Sequence, residues 1–74
     1  MMEARLYTRR GCGLCDEAEE LLADRLPTLE LVDVDADPVW TRLYGLRVPV
    51  LTFDGRVVCE GRFSEAAVAA LWNH

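Results

Sequence analysis

The chain has 74 residues, which suffices for one small domain over residues 1–74 and leaves no room for a second hydrophobic core. Its eight basic residues are all arginine and are outnumbered by 13 acidic ones, and the net charge of −5 argues against binding of nucleic acid. The sequence shows neither an apolar run long enough to span a membrane nor the apolar core of a signal peptide, so we expect a cytoplasmic protein without membrane contact.

The first half of the chain predicts a strand, a helix and a second strand. A short buried strand is expected over residues 3–8, ahead of a turn at residues 9–11. From Leu14 the apolar residues recur at helical spacing, and Pro27 is expected to close this helix. Residues 28–35 alternate imperfectly between apolar and polar, which predicts a strand covered on much of both faces.

The second half predicts a helix, a hairpin and a last helix. Asp37 and Pro38 are suited to the cap and the first residue of a helix, and Gly45 is suited to its end. Asp54-Gly55 between two apolar runs predicts a β-hairpin, and Ser64 predicts the cap of a last helix. The apolar face of that helix is expected to contain Ala67, Val68, Leu71 and Trp72.

This order of elements, β-α-β-α-β-β-α, indicates an α/β fold. A β-α-β start implies parallel first strands, and the hairpin implies an antiparallel final pair. The sequence therefore predicts one mixed four-stranded sheet flanked by helices.

Cys12 and Cys15 lie three residues apart at the junction of the first strand and the first helix. On a helical wheel Cys15 falls inside the apolar stripe, whereas Cys12 falls at its edge and in the first turn. The spacing predicts a redox dithiol, in which an exposed Cys12 attacks a disulfide and a sheltered Cys15 resolves the mixed disulfide.

The location of the pair also bears on thiol acidity. Unpaired backbone N–H groups at a helix start favour a thiolate and lower the pKa of a cysteine. Arg9 and Arg10 would add to this effect, whereas Asp16 and Glu17 would oppose it. The sequence does not decide whether the arginines or the acidic residues have the larger effect on the pKa of the thiol.

The three cysteines also allow other interpretations. A C-x-x-C pair can be half of a zinc site, with Cys59 and His74 as the remaining ligands. Those two residues lack a second close spacing, so we expect no bound metal. Cys59 lies in an apolar run, which favours a small buried hydrophobe over a redox role.

Four features together resemble the glutaredoxin branch of the thioredoxin superfamily, most of all its short bacterial glutaredoxin-like proteins with a C-x-L-C motif. They are Leu6-Tyr7-Thr8, Cys12-Gly13-Leu14-Cys15, Val48-Pro49 at the start of a strand and Gly61 before the last helix. The resemblance extends over nearly the whole chain and implies a thioredoxin-like fold. It also implies a thiol–disulfide oxidoreductase with Cys12 as the nucleophile and Cys15 as the resolving cysteine.

The resemblance further implies a substrate-binding surface. Pro49 matches the cis-proline of the family, and the backbone of Val48 would pair with an extended substrate. Arg10 and Gly61 are the other residues expected to bind substrate.

The chain departs from the glutaredoxin pattern at several places. Gly13-Leu14 replaces the usual Pro-Tyr between the cysteines, and Arg47 replaces the threonine of Thr-Val-Pro. In the segment Glu60–Glu65 one of the two glycines that bind glutathione in the family is replaced by a charged residue.

We therefore expect a dithiol oxidoreductase that acts on protein disulfides or glutathione mixed disulfides and has no bound cofactor. Because the chain departs from the glutathione-binding pattern of the family around Gly61, the sequence leaves open whether glutathione is the reductant. The expected partners are disulfide-containing clients and a reductase, and the expected state is a monomer. The alternative is a thioredoxin-fold binding or accessory module without significant redox turnover.

Overall fold

The computed structural model of the chain describes residues 3–71. Trp72, expected on the last helix, and His74, considered as a zinc ligand, lie outside the described residues. The order of elements is the predicted one, with a short 3-10 turn added after the second strand. The elements are β1 (Ala4–Thr8), α1 (Gly13–Ala23), β2 (Glu30–Asp33), the 3-10 turn (Val34–Ala36), α2 (Pro38–Tyr44), β3 (Val50–Phe53), β4 (Arg56–Glu60) and α3 (Glu65–Ala70).

The four strands form one mixed sheet in the order β2-β1-β3-β4. β1 runs parallel to β2 and antiparallel to β3, while β3 and β4 form the antiparallel hairpin. Tyr7 of β1 is paired with Val32 on one side and with Val50 on the other. The predicted sheet is therefore confirmed, with β1 and β3 as its central strands.

The core has two parts, one on each face of the sheet. Leu6 and Leu51 lie fully buried on the face that also contacts α1 and α3. Tyr7 and Val50 lie on the opposite face, together with residues of α2. This separation follows from the alternation of side chains along a strand, because neighbouring residues point to opposite faces.

Helix α1 buries the stripe that the sequence predicts but is shorter than expected. Ala18 and Leu22 have no exposed surface. The N–H groups of Arg25 and Leu26 both donate to the carbonyl of Leu22, at 3.1 and 2.9 Å. This sharing tightens the last turn, so the regular helix ends at Ala23 rather than next to Pro27.

The prediction for β2 is wrong in length and in burial. The strand covers Glu30–Asp33 only, and it lies at the edge of the sheet with Leu31 about half exposed at 49%. It ends because the carboxylate of Asp33 accepts a hydrogen bond from the N–H of Asp35 at 2.9 Å and starts the 3-10 turn. An edge strand has one neighbour in the sheet, which leaves β2 largely open to solvent.

The predicted caps and turn of the second half are confirmed. Asp37 caps α2 by accepting from the N–H of Val39 at 2.8 Å, and Ser64 caps α3 by accepting from the N–H of Ala67 at 3.1 Å. Asp54 and Gly55 both have positive φ angles, 51° and 84°, as the tight hairpin turn requires. Within residues 3–71 there is no helix long and apolar enough to cross a membrane.

Candidate active site

Cys12 occupies the N-cap position of α1. Its backbone is extended, with φ −93° and ψ 111°, and its Sγ accepts a hydrogen bond from the N–H of Cys15 at 3.1 Å. The N–H of Cys12 in turn donates to the carbonyl of Arg9 at 3.2 Å. The sulfur therefore takes the place of the hydroxyl or carboxylate oxygen that usually caps a helix, at the end of the helix that favours negative charge.

Cys15 lies inside the first turn of α1 and is buried, with 2% of its surface exposed. Burial raises the pKa of the Cys15 thiol to about 11, and a hydrogen bond with Cys12 adds to this rise. A backbone hydrogen bond with Arg9 acts in the opposite direction. Both cysteines are free thiols, and Cys12 is the more exposed of the two. The predicted difference between an accessible and a sheltered thiol is thus present.

The third cysteine lies elsewhere. Cys59 is half-buried in β4, across from Leu51, and burial raises the pKa of its thiol. It packs against the core cluster that contains Leu6 and Leu51, consistent with the expected apolar role. Over residues 3–71 the structure contains no group of three or more side chains placed to hold a metal ion.

Val48, Pro49 and Gly61 come together at one end of the sheet. The Val48–Pro49 peptide bond is cis, and Val48 packs against the core cluster of Tyr7, Val34 and Val50. The N–H of Gly61 donates to the carbonyl of Pro49 at 2.9 Å, with Gly61 at φ 75°.

The register of the sheet places this group next to the cysteine loop. Tyr7 is paired with Val50, so one step further along the antiparallel pair brings Pro49 level with Thr8. Thr8 is the last residue of β1, and the loop to Cys12 follows it directly. The predicted substrate-binding segment and the predicted dithiol therefore lie at the same end of the sheet.

Arg10 is exposed and borders a cleft of about 300 Å³ beside the dithiol. Cys15 also lines the cleft, together with three acidic residues, Asp16, Glu19 and Asp33. Arg10 and Cys15 thus border the same cleft.

Two arginine contacts near the site were not anticipated. The guanidinium of Arg9 is paired with Asp35, and that of Arg47 is paired with Glu60 at 2.5 Å and lies 5.5 Å from the centre of the Tyr44 ring. Sequence separations of 26 and 13 residues leave no local pattern that would reveal these pairs. Arg9 was expected only to favour a thiolate.

The arrangement defines a class of protein. A mixed four-stranded sheet has helices on both faces, a C-x-x-C pair at the start of its first helix and a cis-proline at the same end of the sheet. This combination is that of a thioredoxin-like domain.

Comparison with known proteins narrows the class. The chain belongs to the glutaredoxin-like domain family (DUF836), whose model matches residues 3–72. Among solved structures, the X-ray structure of Northeast Structural Genomics target protein XcR50 from X. campestris is similar, with 38% sequence identity and a TM-score of 0.82. The match covers 95% of each chain. No protein of curated function matches the sequence.

Proposed function

We propose that the chain is a thiol–disulfide oxidoreductase that uses Cys12 and Cys15 on protein disulfides or glutathione mixed disulfides. The observation that carries this proposal is the 3.1 Å hydrogen bond from the N–H of Cys15 to the sulfur of Cys12 at the start of α1. This contact holds the Cys12 sulfur at the start of the helix, and Cys12 is the accessible member of a pair whose spacing suits disulfide exchange.

In the first step the Cys12 thiolate attacks one sulfur of the client disulfide. A bond forms between Cys12 Sγ and that sulfur, the client S–S bond breaks, and the second client sulfur leaves as a thiolate. Cys12 has the accessibility that this step requires, because it is the more exposed member of the pair.

In the second step Cys15 loses its proton and attacks Cys12 Sγ. The mixed disulfide breaks, the client leaves with its second thiol reduced, and a Cys12–Cys15 disulfide remains. Two electrons have then passed from the dithiol to the client. Glutathione or a reductase would return them in the reducing cytoplasm, where the protein is expected to act.

The client would lie along the segment before Pro49. The backbone of Val48 can pair with an extended peptide, Gly61 holds the carbonyl of Pro49, and Arg10 supplies a positive charge beside the cleft. We propose these four residues, Arg10, Val48, Pro49 and Gly61, as the substrate-binding set.

The test is disulfide reduction by wild type and by two single variants. Cys12→Ser should lose all dithiol turnover, because it removes the attacking sulfur. Cys15→Ser should retain attack by Cys12 and accumulate a mixed disulfide, which mass spectrometry of the intact protein detects as added client mass. Undiminished turnover of Cys12→Ser contradicts the assignment. Cys59→Ser is the matched control, with turnover expected to equal that of wild type.

A second candidate function is a binding module without significant redox turnover. It is favoured by the pKa of about 11 for Cys15, since at pH 7 only about one thiol in ten thousand would then be ionised. Under this alternative, wild type would form a mixed disulfide with a small disulfide but would not resolve it at neutral pH.

A further inference from the structure

The side chain of Arg9 connects three segments of the chain. Its Nε and Nη2 donate to the two carboxylate oxygens of Asp35 at 2.9 and 3.0 Å, and its Nη1 donates to the carbonyl of Gly45 at 2.8 Å. Such a bidentate pair fixes the plane of a guanidinium, because both N–H groups on one side of the fork are engaged. The third contact is therefore made in a fixed direction.

Gly45 is the point at which α2 ends and the segment leading to Val48 and Pro49 begins. It is buried, and a Cβ at this position would lie 2.4 Å from the carbonyl oxygen of Thr41 and 3.1 Å from Nη2 of Arg9. The guanidinium thus packs closely against the backbone as well as hydrogen-bonding to it. Arg9 holds the start of this segment in place.

The far end of the same segment is held by different contacts. Pro49 accepts from the N–H of Gly61, and Val50 is paired with Tyr7 in the sheet. Between the two ends, the N–H of Arg47 donates to the carbonyl of Tyr44 at 2.9 Å. Residues 46–48 therefore form a short bridge whose position depends on both anchors.

The backbone of Arg9 contacts the dithiol. Its carbonyl accepts from the N–H of Cys12 at 3.2 Å. One residue thus contacts Cys12 through its main chain and the start of the segment before Pro49 through its side chain.

We propose that Arg9 is a positioning residue that fixes the distance between the Cys12 sulfur and the client-binding segment of residues 46–48. This inference rests on the proposed function. Arg9 acts through Gly45 and Asp35, so loss of its guanidinium contacts changes how a client peptide is held.

The experiment compares Arg9→Gln and Arg9→Lys with wild type. Lysine keeps the positive charge but cannot make the fork to Asp35 and the bond to Gly45 together. Both variants should raise KM for a protein disulfide client by about 10- to 100-fold, in line with the cost of displacing a positioned group. In Arg9→Lys the rate of Cys12 alkylation by iodoacetamide should stay within about twofold of wild type, because the positive charge is kept and the N–H of Cys15 still caps the sulfur.

Arg5→Gln is the matched control. Arg5 lies on the same strand and forms an ion pair with Glu30 at 2.6 Å, but it is remote from the cysteine loop. The Arg5→Gln variant should have the same KM for the protein disulfide client as wild type. A wild-type KM in Arg9→Lys would show that charge alone suffices and would overturn the proposal.

Amide hydrogen exchange separates this proposal from the proposed function. The N–H of Arg47 should exchange at least about tenfold faster in Arg9→Gln than in wild type, because local opening of the bridge is no longer opposed. Faster exchange in a protein whose wild type shows no turnover would support the positioning role and reject the oxidoreductase. Unchanged exchange at Arg47 in a folded Arg9→Gln variant would overturn the positioning role, whatever its KM.

Discussion

The two thiols of the C-x-x-C pair differ in burial, Cys12 being half-buried and Cys15 buried. Cys12 caps α1 and receives a hydrogen bond from the backbone of Cys15, whereas Cys15 is buried and its pKa is raised to about 11. Burial disfavours the charged form of a thiol because a low-dielectric environment solvates an anion poorly. The pair therefore has one accessible sulfur and one buried thiol whose raised pKa favours the protonated form at neutral pH.

This difference predicts that resolution of the mixed disulfide depends on pH. Desolvation is the largest cause of the raised pKa of Cys15, and it persists when Cys12 is in a mixed disulfide. Below the pKa the thiolate fraction rises with pH, so the resolving rate should rise about tenfold per unit between about pH 7 and pH 9. Stopped-flow release of client thiol from a preformed mixed disulfide measures this rate. A flat profile would show that the proton of Cys15 is already lost at neutral pH.

At the scale of elements, the ends of two helices border the candidate site. The N-terminus of α1 presents the Cys12 sulfur, and the C-terminus of α2 leads into the segment before Pro49. Gly45 ends α2 with a right-handed backbone, φ −55° and ψ −34°. A glycine is needed there for space, since the Thr41 carbonyl and Arg9 lie where a Cβ would be.

Two glycine substitutions should therefore differ in their effect on stability. Gly45→Ala should lower the free energy of unfolding by about 1–3 kcal/mol, as overpacking of a tight site does. Gly13→Ala should be neutral or raise it by up to about 1 kcal/mol, because Gly13 is the first residue of α1 and a Cβ there meets no atom within 4 Å. Urea denaturation of the two variants beside wild type measures both changes. Equal stability of the two variants would contradict the packing described for Gly45.

At the scale of the whole molecule, a small core carries the stability of the fold. Within residues 3–71, six buried residues form the larger cluster, between the sheet and helices α1 and α3, and three form the smaller one beneath α2. A protein of this length has an expected stability of about 4–11 kcal/mol, at roughly 0.05–0.15 kcal/mol per residue. A single large cavity would therefore remove much of it.

Leu51 and Leu46 allow the contribution of a buried leucine to stability to be compared with that of an exposed one. Leu51 has no exposed surface, whereas Leu46 is fully exposed at 101%. Leu51→Ala should lower the free energy of unfolding by about 2–5 kcal/mol through lost burial and the cavity left behind. Leu46→Ala should change it by less than about 0.5 kcal/mol. Chemical denaturation followed by circular dichroism tests both values, and a large loss for Leu46→Ala would mean that this side chain is covered in solution.

The sequence by itself determined the order of the helices and strands and the relative burial of Cys12 and Cys15. Local chemistry decides caps and turns, which is why Asp37, Ser64 and Asp54-Gly55 could be assigned from their neighbours alone. The period of the apolar residues in α1 likewise placed Cys15 inside and Cys12 at the edge. The place of Pro49 beside the dithiol came from resemblance to the glutaredoxins.

Only the tertiary structure decided the rest, because it depends on which distant segments meet. The exposure of β2 follows from its place at the edge of the sheet. The alternation of apolar and polar residues over 28–35 does not indicate which place the strand takes in the sheet. The pair between Arg9 and Asp35 joins residues 26 positions apart, through the folding of β2 against β1. Gly45 was expected as a helix end for its backbone freedom, whereas the structure shows that it is needed for close packing.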